Sequence, residues 1–198
     1  LTALITVAEE TGMDGVIGLK SDNIEGDILI NIDSEEEGVV LASCAGGINS
    51  IVEAPIKWVK TQKSQTFNID IKGLLGGHSG IEIGKNRASA IKLIGRVLEA
   101  IQKVVDFELG FISGGEKMNA IPKMSRAVIG VMDEDIKKVE AVIEAMAEII
   151  GKEFKTSDPN ITVTLSKAEK AEDVFVGEPR DTVINILRLL PQGVESMS

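Results

Sequence analysis

Along residues 66–166 the hydrophobic period switches repeatedly between two residues and 3.6, and the order of those switches leaves few folds open. Phe67, Ile69 and Ile71 alternate with Asn68, Asp70 and Lys72, the pattern of a half-buried strand. Over residues 86–105, Ala90, Ile91, Ile94, Val97, Leu98, Ile101 and Val105 fall on one helical stripe. Phe107, Leu109 and Phe111 alternate again. Ala127, Ile129 and Val131 mark the next strand, residues 126–132, and Asp133 is placed to cap the helix that follows. On that helix Ile136, Val139, Ile143, Met146 and Ile150 recur at helical spacing. Ser157, Asp158, Pro159 and Asn160 make a turn. Ile161, Val163 and Leu165 then alternate with Thr162, Thr164 and Ser166. The order β-α-β-β-α-β predicts an α+β, ferredoxin-like arrangement, an antiparallel sheet with two helices on one face. Residues 167–178 are charged and read as loop, and residues 179–190 as a short helix with Pro179 in its first turn.

The first part of the chain has a different texture. Residues 1–8, 27–32 and 38–43 are continuous apolar runs, the kind that fill a sheet buried on both faces. Residues 11–19 read as a short helical turn, and residues 48–60 as one long strand with Pro55 at an edge or bulge. The expected fold class is therefore α/β plus α+β. A partial α/β sheet spans residues 1–58, a βαββαβ domain residues 59–190, and residues 191–198 begin a return to a missing part. The chain opens on Leu1 rather than methionine, and both ends read as cuts through a longer protein.

Composition narrows the class of partner. A net charge of −10 repels phosphate backbones, so no nucleic acid is expected. A lone cysteine, Cys44, cannot close an internal disulfide, which fits a reducing, cytoplasmic setting. No stretch approaches the roughly 18 apolar residues of a membrane span, so no membrane partner is expected. Residues 1–8 lack the basic flank of a signal peptide and run straight into Glu9 and Glu10.

Few residues stand where chemistry collects. Glu9 and Glu10 follow an apolar run directly, and strand tips of α/β sheets gather ligands. One carboxylate could ligate a metal while the other takes a proton from metal-bound water; the alternative is a solvated acidic turn. Asp33 also follows an apolar run and could reach the same centre, since zinc accepts carboxylate oxygen; the alternative is a turn aspartate. The Glu35, Glu36 and Glu37 run reads as a solvated face. His78, the only histidine, lies among Gly76, Gly77 and Gly80, which leave its imidazole accessible. Asn119 sits at the centre of a second glycine-flanked loop and could donate to a substrate carbonyl or carboxylate, or simply form a turn. The glycines around His78 lack the Gly-Lys-Ser/Thr ending of a phosphate loop. Cys44 has no nearby base to activate it as a nucleophile.

Taken together these segments resemble the aminoacyl-histidine dipeptidases (peptidase D). The resemblance rests on Glu9-Glu10-Thr11-Gly12-Met13-Asp14-Gly15 and on Asn31-Ile32-Asp33-Ser34-Glu35-Glu36-Glu37-Gly38. Cys44-Ala45-Gly46-Gly47, Lys72-Gly73-Leu74 with Gly76-Gly77-His78-Ser79-Gly80, and Asn119-Ala120-Ile121-Pro122 follow in order. It covers nearly the whole chain. It implies a cytoplasmic dinuclear zinc metallopeptidase whose α/β catalytic domain is interrupted by a ferredoxin-like lid that also dimerises. By that resemblance Glu9 is the general base, Glu10 and Asp33 each ligate one of two zinc ions, His78 polarises the scissile carbonyl or holds the oxyanion, in its own or the neighbouring subunit's site, and Asn119 contacts the dipeptide. The dimer is expected through the lid, with residues 66–72 and 86–105 as candidates for the two-fold interface.

The departure from that family is large. A dinuclear site there needs histidine ligands and a bridging aspartate, and one histidine in a lid loop cannot provide them. The 198 residues alone are therefore expected to bind zinc poorly and to hydrolyse nothing. Two other readings stay open: a non-catalytic dimerisation or regulatory module on the same lid, and an unrelated ferredoxin-like binding domain.

Overall fold

The structure, a computed structural model, describes residues 2–33, 37–43 and 46–195, and of Glu10 the backbone without the side chain. Leu1, residues 34–36 of the acidic run, Cys44 with Ala45, and residues 196–198 lie outside the described residues. The chain divides into two units, Leu1–Ser50 and Ile51–Ser198.

In the first unit α1 (Glu9–Gly12) and α2 (Asp14–Ile17) form the helical turn expected near residues 11–19, and a 3-10 turn follows at Ser21–Asn23. The expected strands do not form. Among the described residues of this unit none is in a strand, and Ile5, Ile28, Ile32 and Val40 are at least 83% exposed. A strand of a parallel sheet takes its hydrogen bonds from neighbours on both sides and its burial from helices on both faces. The described residues of this unit provide neither, so the α/β sheet read from apolar composition is not found here. The long strand expected over residues 48–60 shrinks to β1 (Val59–Lys60).

The second unit is a mixed helix and sheet domain, and here the periodicity holds. β2 (Gln65–Lys72), β3 (Gly77–His78), α3 (Ala90–Gln102), β4 (Glu108–Gly114), β5 (Ala120–Ile121) and β6 (Ser125–Val131) come first. α4 (Ile136–Glu153), β7 (Thr162–Lys167), β8 (Asp173–Val174) and α5 (Glu178–Leu189) complete it. Four strands form an antiparallel sheet in the order β4-β6-β2-β7. Two smaller antiparallel ladders pair β1 with β8 and β3 with β5. Ile69 and Ile71 of β2 and Ala127, Ile129 and Val131 of β6 are fully buried, the faces that alternation assigns them. α3 lies on this sheet with Leu93, Ile94, Val97, Leu98 and Ile101 at most 1% exposed. Each such side chain contributes about 1.5–3 kcal/mol of burial, before the entropy of ordering the chain is set against it.

Several expectations need correction. Asp133 does not cap α4. It opens a 3-10 turn, Asp133–Asp135, accepts from the Gln65 carboxamide at 2.7 Å, and its N–H donates to Ser64 Oγ at 3.2 Å, so it ties the start of α4 to β2. Phe111 does not continue the buried alternation of Phe107 and Leu109. The register slips between Leu109 and Phe111, a bulge that turns Phe111 outward to 48% exposure. At that bulge Leu109 and Phe175 exchange two backbone hydrogen bonds, 2.9 and 3.1 Å, so the expected loop at residues 167–178 carries β8 and a buried aromatic. Trp58 meets Phe175 edge-on at 5.1 Å. The buried set of α3 also includes Leu93 and Gly95, off the predicted stripe; α5 covers the flank at Gly95, where Leu187 approaches.

The interface candidates change too. β2 has ladder partners on both sides, and α3 is enclosed by the sheet, α4 and α5. β2 therefore has no free edge to offer a second copy. Among the described residues the outer edge of β7 has no ladder partner.

Candidate functional site

The loop that carries His78 leaves β2 through Gly73, whose φ of +83° suits glycine. A Cβ there would stand 1.9 Å from the Asn160 carbonyl oxygen, so the close approach of residue 160 requires glycine independently of the dihedral. Gly76 and Gly77 follow with φ of +63° and +139°. Their conformations turn the chain back so that Gly77 and His78 pair with Ile121 and Ala120. Beyond that ladder the Ser79 N–H donates to the Asn119 carbonyl at 2.9 Å. Two loops about 40 residues apart in sequence are thereby joined, and His78 and Asn119 line one open cleft of about 310 Å³ with Leu75, Glu116, Pro122 and Lys123.

The imidazole is oriented by its own loop. His78 Nδ1 accepts from the N–H of Gly80 at 3.1 Å and of Ile81 at 3.2 Å. A nitrogen accepting two amides carries no proton, so the neutral ring holds its hydrogen on Nε2 and presents it as a donor from an exposed side chain. Glu82 secures the same turn. It accepts from the His78 N–H at 2.9 Å and from Lys85 at 2.8 Å, and pairs with Arg87 at 3.1 Å. The Lys85 hydrogen bond foremost, with the His78 N–H and the Arg87 charge, holds the Glu82 carboxyl at about 2 against the opposing effect of burial. Arg87 also donates to the Gly76 carbonyl. At the rim of the cleft Lys123 pairs with Glu116 at 3.3 Å. The arrangement can donate to a carbonyl oxygen or a carboxylate, with a carboxamide alongside.

Glu9, Glu10 and Asp33 belong to the first unit. Glu9 and Glu10 open α1 between two non-glycine residues in the left-handed region, Ala8 at φ +58° and Met13 at φ +63°. Such residues persist only where surrounding structure holds them. Gly15 shows how: its N–H donates to the Val7 carbonyl at 3.1 Å, and a Cβ there would lie 2.6 Å from the Val7 nitrogen. Glu9 is exposed, and the Glu10 side chain lies outside the described residues. Asp33 is exposed, with its N–H bonded to Asn31 Oδ1 at 3.0 Å. Among the described residues no three His, Cys, Asp or Glu side chains stand together as metal ligands. The donor set described is therefore short of a zinc site.

Glu82, Arg87, Lys123 and Asp158 were not legible as site residues. Glu82 had one available signal, a charge in the same glycine loop four residues after His78. Asp158 had none, because an aspartate before proline is an ordinary turn residue, yet it is 1% exposed and bonded to the His78 loop. Among the described residues no helix is long and apolar enough to cross a membrane.

Comparison with known proteins agrees with this anatomy. Residues 69–158 match the family model of the peptidase dimerisation domain. The cytosol non-specific dipeptidase of Escherichia coli (strain K12) is 35% identical over 195 residues, covering 98% of this chain and 40% of that protein. The crystal structure of aminoacylhistidine dipeptidase from Vibrio alginolyticus matches with a TM-score of 0.71 and 28% identity, again over 98% of this chain and 40% of that one. The chain spans 40% of the length of these relatives. It is similar over nearly all its length to these dipeptidases, and its residues 69–158 are similar to the peptidase dimerisation domain.

Proposed function

We propose that this chain is the lid-bearing, substrate-contacting part of a dinuclear zinc dipeptidase that hydrolyses short peptides such as aminoacyl-histidine dipeptides. The observation that carries the proposal is the pairing of β3 with β5, which sets an imidazole donor and a carboxamide on one small cleft. His78 Nε2–H donates to the scissile carbonyl oxygen, and that bond strengthens as negative charge develops there. Asn119, with both a donor and an acceptor, holds the peptide beside it. The kinship to two proteins named as dipeptidases supports a dipeptide as the substrate.

Within this reading Glu9 is the general base, and Glu10 and Asp33 each give a carboxylate to one zinc ion. The chain's single histidine is engaged at the cleft, so the remaining ligands come from other polypeptide. The βαββαβ domain is read as a ferredoxin-like lid through which a cytoplasmic homodimer forms.

In the complete protein carrying this chain, H78Q is expected to lower kcat on an aminoacyl-histidine dipeptide about 10²–10³-fold. Unchanged turnover would remove His78 from the reaction. The 198 residues alone are expected to give no stoichiometric zinc binding by calorimetry; tight binding of two ions would overturn the division of ligands. A second reading, a non-catalytic dimerisation or regulatory module, draws on the family match and on the missing three-ligand cluster among the described residues. It would prevail if the complete protein, supplied with zinc, cleaved no dipeptide.

A further inference from the structure

The His78 loop is closed by one carboxylate. Asp158 is 1% exposed and lies just past α4, where its own N–H donates to the Phe154 carbonyl at 2.8 Å. Oδ1 accepts from the Leu75 N–H at 2.8 Å and Oδ2 from the Ala88 N–H at 2.8 Å. Leu75 precedes His78 by three residues and Ala88 follows it by ten, so the two oxygens hold the two ends of the loop. Between those ends the only ladder is β3, and its partner is β5 rather than the rest of the sheet. Among the described residues no lysine or arginine pairs with Asp158. The carboxylate is therefore held by backbone amides alone, and a buried charge in that position is costly unless both acceptors are used.

An asparagine would fill the same space with one acceptor and one donor. Its NH2 would face either the Leu75 or the Ala88 N–H, and one end of the loop would lose its anchor. The site calls for two acceptors, and aspartate is the smallest side chain that has them.

We propose that Asp158 is the positioning residue for His78: by clamping both ends of the 75–88 loop it fixes the turn in which Gly80 and Ile81 hold Nδ1 and leave Nε2–H as the donor. The inference rests on the reading of His78 as the substrate contact and deepens it.

A chain with one histidine makes the test direct. With imidazole-15N histidine, the wild-type chain shows one pair of ring nitrogens, with Nδ1 unprotonated and Nε2 protonated. In D158N the pair moves toward the averaged values of a freely exchanging imidazole, and amide exchange at Gly80 and Ile81 speeds up by about tenfold or more. E108Q serves as the control. Glu108 is a carboxylate of similar burial, 3% exposed, that accepts from Thr61 and Gln62 instead. It lowers stability while leaving the His78 nitrogens in place. Unmoved nitrogens in folded D158N, or an equal shift in E108Q, overturns the proposal. If D158N does not fold, the wild-type chain decides. Under native conditions the Leu75, Gly80, Ile81 and Ala88 amides exchange with one common protection factor if one clamp governs them, and independent exchange overturns the inference. None of these readouts needs peptidase activity. If they come out as expected while H78Q leaves turnover unchanged, Asp158 still positions His78 and only the catalytic reading of His78 falls.

Discussion

Replacing Gly73 with alanine separates two effects that the His78 loop superimposes. The first is conformational: φ at Gly73 is +83°, and an L side chain held there costs about 1–3 kcal/mol. The second is steric. The new Cβ would stand 1.9 Å from the Asn160 carbonyl oxygen and 2.8 Å from its carbon, both backbone atoms that cannot rotate away. Forcing such an atom into packed structure costs about 1–3 kcal/mol more, so G73A should lose about 2–6 kcal/mol. Gly177 isolates the first effect. Its φ is +60°, yet a Cβ there meets nothing within 4 Å, so G177A should lose only the conformational part. Urea unfolding followed through Trp58, the only tryptophan and in edge contact with Phe175, reads both variants in the same unit. With a slope of about 2 kcal/mol per molar urea, G73A should unfold at least ~0.5 M earlier than G177A. Equal midpoints would mean that residue 160 does not approach β2 as described, and the entry to the His78 loop would have to be redrawn.

Gly95 tests the seat of α5: a Cβ there would lie 2.9 Å from Leu187 Cβ and 3.3 Å from Arg188 Cγ. Helix propensity alone favours alanine by about 1 kcal/mol, whereas overpacking costs about 1–3 kcal/mol. G95A should therefore lower Tm, and a rise would refute the close approach of α5. Glu82 tests the electrostatics of the loop. Its folded carboxyl titrates near 2 against an ordinary 4.5, so its stabilising contribution is fully present above pH 4.5 and is lost as the pH falls from there toward 2. E82Q should flatten the stability curve across that window and run parallel to the parent above it. Parallel curves through the acid limb as well would show that Glu82 does not hold the turn.

What could be read from the sequence followed a physical division. β2, α3, β6, α4 and β7 lay open to period counting because each buries one face against the others, so burial imposes the period. The bulge between Leu109 and Phe111 was not legible, since it depends on Phe175 arriving more than 60 residues later. Residues 27–32 misled for the opposite reason: an apolar run records what a segment is able to bury, not whether a neighbour is there to bury it. His78 and Asn119 were legible as candidates because glycines mark loops that must approach something closely. Their shared cleft was not, because a two-residue ladder leaves no periodic trace.

The polar fastening of the His78 loop follows from its composition. A segment rich in glycine has little apolar side chain to bury, and within residues 75–88 only Gly76 and Ala88 lie buried. Hydrophobic burial therefore cannot hold it. Its geometry comes from Asp158 at the two ends, Glu82 and Arg87 at the turn, and the two amides on Nδ1. The core beneath rests on α3 and the sheet, which use none of these groups. The two systems share few atoms, so substitutions in them should add nearly independently. Loss of Leu93 or Ile129 should unfold the domain without first disturbing the imidazole. Loss of Asp158 or Glu82 should release the imidazole while the sheet stays formed. A chain in which both kinds of change always moved together would have a single cooperative loop and core, and the cleft could not then vary its contacts without risk to the fold.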